Sequence, residues 1–227
     1  MRQERRGERL MKDWGSYPRA MVNRFQSAYL EGSPPWDIGR PQSVFVTLFG
    51  EGAIRGRVVD VGCGTGENAL YLAAQGLDVT GVDAAPAAIE RAHRKAEERG
   101  VNARFEVADV LDLHAFADSF DSGIDSGCFH VFDDAARPRY VRSLHGALRP
   151  GARLFIMTFS DRLPGTWGPR RVSQAELRNA FSDGWQVDAI EPARFDLDPS
   201  ARSRVGLDVA DGSLAPIEAW LTRLTRV

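Results

Sequence analysis

Cysteine is scarce in this sequence, with two in 227 residues, Cys63 and Cys128, and so small a number excludes a disulfide framework. Histidine is nearly as rare: four scattered residues, far from any cysteine spacing that grips a metal, so no metal site is expected. Long apolar runs are missing, which argues against a membrane-spanning helix. Neither sign of charge prevails. Lys and Arg number 29 against 31 Asp and Glu, a net charge of -2, and that leaves no broad electrostatic footprint for nucleic acid or an anionic membrane. There is no internal repeat and no low-complexity tract. The charged stretch Met1 to Arg9 carries no apolar core behind it and does not read as a secretory signal. A reduced, cytoplasmic setting is the expectation.

What is present suits one α/β domain with additions: 43% hydrophobic and 26% charged residues can bury a substantial core. The chain is organised around Val58-Val59-Asp60-Val61-Gly62-Cys63-Gly64-Thr65-Gly66-Glu67, an apolar run ending in an acid and three alternating glycines. It reads as strand, tight turn and helix start, and the helix that follows stops near Gly76. The donor-rich start of that helix faces whatever lies on the turn.

Residues 1–13 have little to bury and are expected to form a disordered lead. Residues 14–52 are expected to form a helical cap, with one helix from Ser16 to Leu30 and a second opened by Pro41. Between them, Trp36 to Pro41 sets an aromatic, an acid and an arginine among prolines, either an anchored surface loop or a lid over a ligand. Residues 53–227 form the core domain. Strands are expected at Leu77–Asp83, Ala103–Asp109, Phe120–Asp125, Leu154–Phe159 and Trp185–Ile190. Helices are expected from Pro86 to Gly100, from Asp133 to Pro150-Gly151, and from a capping box at Ser173 and Glu176. Residues 197–214 read as a long connection or a partly mobile hairpin, and Ile217 to Val227 fits a helix or a strand, with a closing strand expected because the sheet needs one.

Four strands end in acids, Asp60, Asp83, Asp109 and Asp125, and in an open parallel sheet such ends converge on the ligand crevice. Asp83 falls about 20 residues after the glycine turn, where a carboxylate can accept both hydroxyls of a ribose. A nucleoside ligand follows. A dinucleotide is disfavoured, because Glu67 stands where Gly-x-Gly-x-x-Gly has its third glycine and would repel a pyrophosphate.

With these residues in place, the sequence resembles the class I S-adenosylmethionine-dependent methyltransferases from about Trp36 to the C-terminus. The resemblance implies a Rossmann-like α/β fold, a mostly parallel seven-stranded sheet with helices on both faces and a small N-terminal helical cap. It implies S-adenosylmethionine as cofactor, with Gly62, Cys63, Gly64 and Gly66 beneath it, Asp60 near its ammonium group, Asp83 and Ala84 at the ribose, Asp109 and Val110 at the adenine, and Asp125 nearby. Trp36 to Pro41 is similar to the N-terminal signature of thiopurine, thiol and halide methyltransferases. Together with Asp125 to Phe132, Gly168 to Gln174 and Ala219-Trp220-Leu221, it also resembles bacterial methyltransferases of hydroxyquinolones and other small heteroaromatics. Trp36 and Arg40 thereby join the cofactor side.

Transfer from a sulfonium needs an in-line nucleophile held in a water-poor site, so positioning is the main task of the protein. His130, after the fourth strand, is the candidate base if the acceptor is not already ionised. Phe129, Phe132 and Trp167 offer flat surfaces for an aromatic substrate, and Arg170 and Arg171 either hold an anionic substrate or form a solvated face. Cys128 reads as a small buried neighbour. The expected partner is a small molecule, with no nucleic acid and no membrane, for a monomer or homodimer. Methylation of RNA or protein, or a non-catalytic cofactor-binding module, are the competing readings.

Overall fold

The apolar run before the glycine turn forms the centre of a seven-stranded sheet. A computed structural model describes residues 19–165, 168–196 and 217–227. Its strands are β1 (Arg57–Val61), β2 (Asp78–Asp83), β3 (Arg104–Val107), β4 (Phe120–Ser126), β5 (Leu148–Phe159), β6 (Trp185–Phe195) and β7 (Ile217–Arg226), in the order β3-β2-β1-β4-β5-β7-β6. β1 to β5 pair in parallel, while β7 runs antiparallel to both β5 and β6. The chain order reverses between β1 and β4, and that switch point is where an open sheet of this kind binds its ligand. The expected closing strand is β7, and its insertion between β5 and β6 leaves β6 on the edge.

Helices cover both faces of the sheet in a pattern set by alternation along the strands. Val58, Val79, Ile124, Phe155 and Met157 face α2 (Ser43–Gly50), α3 (Glu67–Ala74) and α4 (Pro86–Arg99), which contribute Phe45, Leu48, Leu70, Leu72, Ile89 and Ala92. Val59, Val61, Val82, Leu154 and Ile156 point the other way, against Tyr140, Val141 and Leu144 of α5 (Arg137–Ala147) and Leu177 of α6 (Gln174–Ala180). Both faces being covered explains why the central strands are nearly continuous in apolar residues. The first described helix, α1 (Arg19–Glu31), lies outside this sandwich and packs Tyr29 and Phe25 on Ala85, Ala87 and Ala88 at the start of α4.

Local chemistry accounts for most boundaries. Pro86 occupies the first turn of α4 and Gly100 ends it at φ 61°, both as their residue types prefer. Ser173 and Glu176 close a full capping box on α6. Several boundaries differ from expectation, among them α5, which starts at Arg137 rather than Asp133, and β6, which runs to Phe195 rather than Ile190. α2 starts at Ser43 rather than at Pro41, with Gln42 as the residue before it. β3 stops at Val107, so Asp109 lies beyond the strand. β5 begins at Leu148 and carries Pro150 and Gly151 inside it, where its register against β4 shifts between Phe120 and Ser122. A bulge there absorbs the residues that looked like a helix stop. The expectations for residues 1–13 and 197–214 lie outside the described residues. Among the described residues no helix is long and apolar enough to cross a membrane.

Candidate functional site

The C-terminal ends of β1, β2 and β4 hold the glycine turn. Gly62, Gly64 and Gly66 all take positive φ, at 66°, 55° and 84°, which side chains with a Cβ rarely adopt. At Gly64 the requirement is also steric, since a Cβ there would lie 2.7 Å from the Tyr29 hydroxyl. Tyr29, on α1, is therefore the aromatic that covers the turn. Trp36 has a supporting place: its indole N–H donates to the Tyr29 hydroxyl at 2.8 Å, and its ring meets Phe25 and Tyr29 edge-on. Where a lid from the Trp36 segment is expected, Tyr29 of α1 lies against Gly64 and Trp36 is bonded to it.

Asp60 is the most unusual group in the site. It is fully buried in β1, and neither carboxylate oxygen has a hydrogen-bond partner among the described residues. Burial first, and then the charges of Asp125 and Asp83, push its pKa up to about 8, although the nearby Ala69 N–H works the other way. Buried carboxylates are ordinarily paired or bonded. A cationic donor placed against the glycine turn would supply what Asp60 lacks.

The other strand-end acids have partners of their own. Asp83 accepts the Gly64 and Ala85 N–H groups at 2.9 and 2.8 Å, one on each oxygen, which leaves each oxygen a further acceptor site for a diol. Burial raises its pKa while these N–H groups hold it down. Asp109 accepts the Leu111 N–H at 2.9 Å and closes a short turn beside buried Val110. Ala84, half-buried, packs with the core under this edge.

Asp125 departs from expectation. One oxygen takes the Cys128 N–H at 2.6 Å, and the other takes the Phe129 N–H at 2.9 Å and the Tyr140 hydroxyl at 2.7 Å. Three donors of its own chain bind it, and with them it organises the turn after β4. Burial still lifts its pKa to about 6.

Glu67, whose carboxylate seemed set against a phosphate, faces the opposite way. Lys95 reaches it at 2.7 Å and Arg99 grips both oxygens at 2.8 Å from α4. Burial alone would raise its pKa, but Arg99 and Lys95 bring it below the ordinary value. The repulsion argument against a dinucleotide therefore fails, because the charge is neutralised inside the protein. The same Lys95 donates to Thr65 at 2.6 Å, and Thr65 donates to Asp37 at 2.9 Å. A chain of polar contacts thus ties the Trp36 segment to the glycine turn. The ammonium itself lies 3.5 Å from Asp37.

Arg40, expected on the cofactor side, pairs instead with Asp196 at 3.0 Å and is more than half exposed. Asp196 follows β6 and also accepts the Ser43 N–H at 3.1 Å, while its backbone exchanges two hydrogen bonds with the Gln42 side chain. The Gln42 N–H donates to Asn68 of α3 at 2.9 Å. Sequence reasoning missed this clasp because its members stand more than 150 residues apart.

His130 sits within the protein and not at the lip of a crevice. Its Nδ1 accepts the Phe159 N–H at 3.0 Å, and its ring lies 4.7 Å from that of Phe159 and 6.0 Å from that of Phe195. Burial, reinforced by Arg137 and Arg171, lowers its pKa to about 3. A base that titrates near neutrality was expected here, and this surrounding keeps the imidazole neutral around pH 7. Phe129 and Phe132 are buried beside it around Tyr140. Burial and then Asp125 push the Cys128 thiol up, so it carries no thiolate. Burial likewise raises the Cys63 thiol, which sits in the floor of the turn.

Arg170 bonds Asp134 at 2.6 Å and also reaches Glu176, while Arg171 donates to the carbonyls of Leu163, Pro164, Gly165 and Pro169 and lies 5.3 Å over the Phe159 ring. Neither is a bare solvated face. Trp167 lies outside the described residues. No cluster able to hold a metal occurs among the described residues. A cleft of about 380 Å³ lined by Asp78, Asn102 and Arg104 opens at the other end of β2, away from the switch point, and its Asp78 and Arg104 pair with each other.

Comparison with known proteins gives this geometry a context. The model of a methyltransferase domain matches residues 58–151. The chain is 40% identical over 185 residues to the 2-heptyl-1-hydroxyquinolin-4(1H)-one methyltransferase of Mycobacteroides abscessus, covering 77% of this chain and 82% of that protein. It is 32% identical to a ubiquinone biosynthesis O-methyltransferase of Xanthomonas axonopodis, over 74% of this chain and 69% of the other. A solved structure described as "Conversion of a Disulfide Bond into a Thioacetal Group during Echinomycin Biosynthesis" superposes with a TM-score of 0.80 at 38% identity, covering 91% of this chain and 92% of the other.

Proposed function

Because the chain belongs to the class I S-adenosylmethionine-dependent methyltransferases, we propose that it methylates a heteroatom, foremost an oxygen, of a small heteroaromatic compound. The observation that carries the cofactor half is the buried, unpartnered carboxylate of Asp60 beside the glycine turn, which fits an ammonium group. In this reading Asp60 receives the amino-acid end of the cofactor, Gly62, Gly64 and Gly66 let the backbone approach it, and Asp83 takes the ribose hydroxyls. Asp109 and Val110 border the base. The acceptor half is supported by the hydroxyquinolone-methylating relative and by the aromatic side chains gathered after β4 and β5.

When bound, S-adenosylmethionine supplies a methyl group on a cationic sulfur, which an in-line nucleophile takes as the sulfur becomes a neutral thioether. The chain contributes geometry and dryness. Phe129, Phe132, Phe159 and Phe195 keep water from the ends of β4 and β5, and a medium poor in water favours a step in which opposite charges cancel. His130 holds the Phe159 backbone in place and takes no proton near neutrality. The acceptor therefore reacts in a form that needs no base from His130.

The test is incubation with S-adenosylmethionine and a panel of 1-hydroxyquinolin-4(1H)-ones, flavonoids and aryl thiols, read by mass for one added methyl. Methylation of a hydroxyl-bearing heteroaromatic is the expected result. Methylation of thiols alone would move the acceptor to sulfur, and no turnover of any of them would remove the acceptor class.

A further inference from the structure

Beside the aromatic group after β4 lies a buried cation whose donors are only partly used. Arg137 opens α5, with a side chain only 7% exposed. Its Nη1 donates to Glu176 at 3.2 Å, while Nε and Nη2 are buried with no hydrogen-bond partner among the described residues. The guanidinium carbon stands 4.7 Å over the centre of the Phe129 ring, so the ring covers its face and leaves the in-plane donors unsatisfied. Guanidinium stays charged in proteins and offers five donors and no acceptor, so it cannot relieve this by losing a proton.

The neighbouring acids are already engaged. Glu176 gives one oxygen to Arg170 as well as Arg137, and the other to the Ser173 N–H and hydroxyl at 2.9 Å each. Arg170 holds Asp134, which lies 3.9 Å from Arg137. Asp133, just before α5, accepts the Ala135 and Ala136 N–H groups at 3.1 and 2.8 Å, and Asp125 has three donors of its own. Arg137 therefore keeps Nε and Nη2 idle, two planar donors on one side of the guanidinium arranged as a fork that suits an oxyanion.

We propose that Arg137 is the counter-charge for the methyl acceptor, which this protein binds as an anion: an aromatic ring bearing an ionised oxygen, or the equivalent thiolate. The inference rests on the acceptor site lying at the ends of β4 and β5, as in the function given above. It adds the charge state of the acceptor and the residue that selects it. An acceptor bound as an anion brings no proton to be removed, which agrees with the absence of a titrating base at His130. Arg137 touches the substrate in this proposal and Glu176 positions it.

The experiment uses the full chain saturated with S-adenosylhomocysteine and compares, by calorimetry, salicylate with its neutral amide, salicylamide. Wild type is expected to bind salicylate at least about tenfold more tightly, an anion preference of the size a charge-assisted bond gives. Arg137→Gln is expected to abolish the preference with unchanged S-adenosylhomocysteine affinity, and Arg137→Lys, which keeps charge without the fork, to retain part of it. Equal binding of the two probes by wild type, or an undiminished preference in folded Arg137→Gln, overturns the proposal. If Arg137→Gln does not fold, Arg137→Lys with an undiminished preference overturns it, and with a reduced one supports it. Methyl transfer is scored separately. Loss of anion preference in a protein that methylates no hydroxyheteroaromatic keeps the inference and removes the acceptor class; methylation of that class untouched by Arg137→Gln does the reverse.

Discussion

Thr65 donates its hydroxyl to Asp37 at 2.9 Å, which fastens the loop after α1 directly to the glycine turn. Lys95 completes the fastening by donating to Thr65 and Glu67. The cap over the turn is thus held by a polar chain anchored in α4 and reaching through Asp37 to the Trp36 segment, while Trp36 in turn holds the Tyr29 hydroxyl against Gly64.

Lys95→Met is expected to loosen this chain and weaken S-adenosylhomocysteine binding by about three- to tenfold, corresponding to about 1 kcal/mol for a partly screened charged contact. The acceptor KM at saturating cofactor should not move. Calorimetry and steady-state kinetics check the split, and Lys95→Arg should recover most of the affinity.

Asp60 predicts an unusual pH dependence. Its folded pKa of about 8 lies above its ordinary value of 3.8, so the proton-bound form favours folding. Stability of the ligand-free protein is present in full below about pH 4 and falls as pH rises to about 8, as far as this group is concerned. Binding an ammonium group requires the ionised acid, so S-adenosylhomocysteine affinity should climb over the upper part of that window. Asp60→Asn should flatten both trends and weaken binding about ten- to hundredfold, the equivalent of about 1.5–3 kcal/mol for a charged hydrogen bond. Thermal melts at several pH values, with and without ligand, decide it.

His130 gives the opposite sign. Its folded pKa of about 3 lies below the ordinary 6.5, so the stability it contributes is present above about pH 6.5 and is lost as pH falls toward about 3. The rate profile between about pH 6 and 9 should show no inflection that disappears in a His130 variant. His130→Ala should cost about 2–4 kcal/mol by denaturant melt, because it empties a packed site and strands the buried Phe159 N–H.

Asp196→Ala removes the acceptor for the Ser43 N–H at the start of α2 and should lower stability by about 1 kcal/mol, the usual worth of a helix cap. Asp196→Asn keeps an acceptor oxygen and should lose less. Chemical denaturation of the two variants gives the comparison.

Much of this protein is legible without coordinates, because backbone constraints are local. The alternation of apolar runs with helical patterns, Pro86 and Gly100 at the ends of α4, and the three positive-φ glycines each follow from a few adjacent residues. The spacing from the glycine turn to Asp83 belongs to the same class of signal.

Partners, by contrast, come from distant elements. Asp60 and Asp125 look alike in the sequence, each an acid near the end of a buried strand, yet Tyr140 and the turn after β4 bond Asp125 while neither oxygen of Asp60 has a hydrogen-bond partner among the described residues. Glu67 reads as a charge aimed at a ligand until α4 places Lys95 and Arg99 upon it. Arg137 is indistinguishable in sequence from Arg170 and Arg171, and only packing over Phe129 with Glu176 already shared leaves it with two idle donors. The sequence by itself determined the sheet, the turn and the kind of cofactor they hold. Tertiary structure decided which charges remain unspent, because a hydrogen-bond partner is supplied by whatever element packs alongside and local pattern carries no record of it.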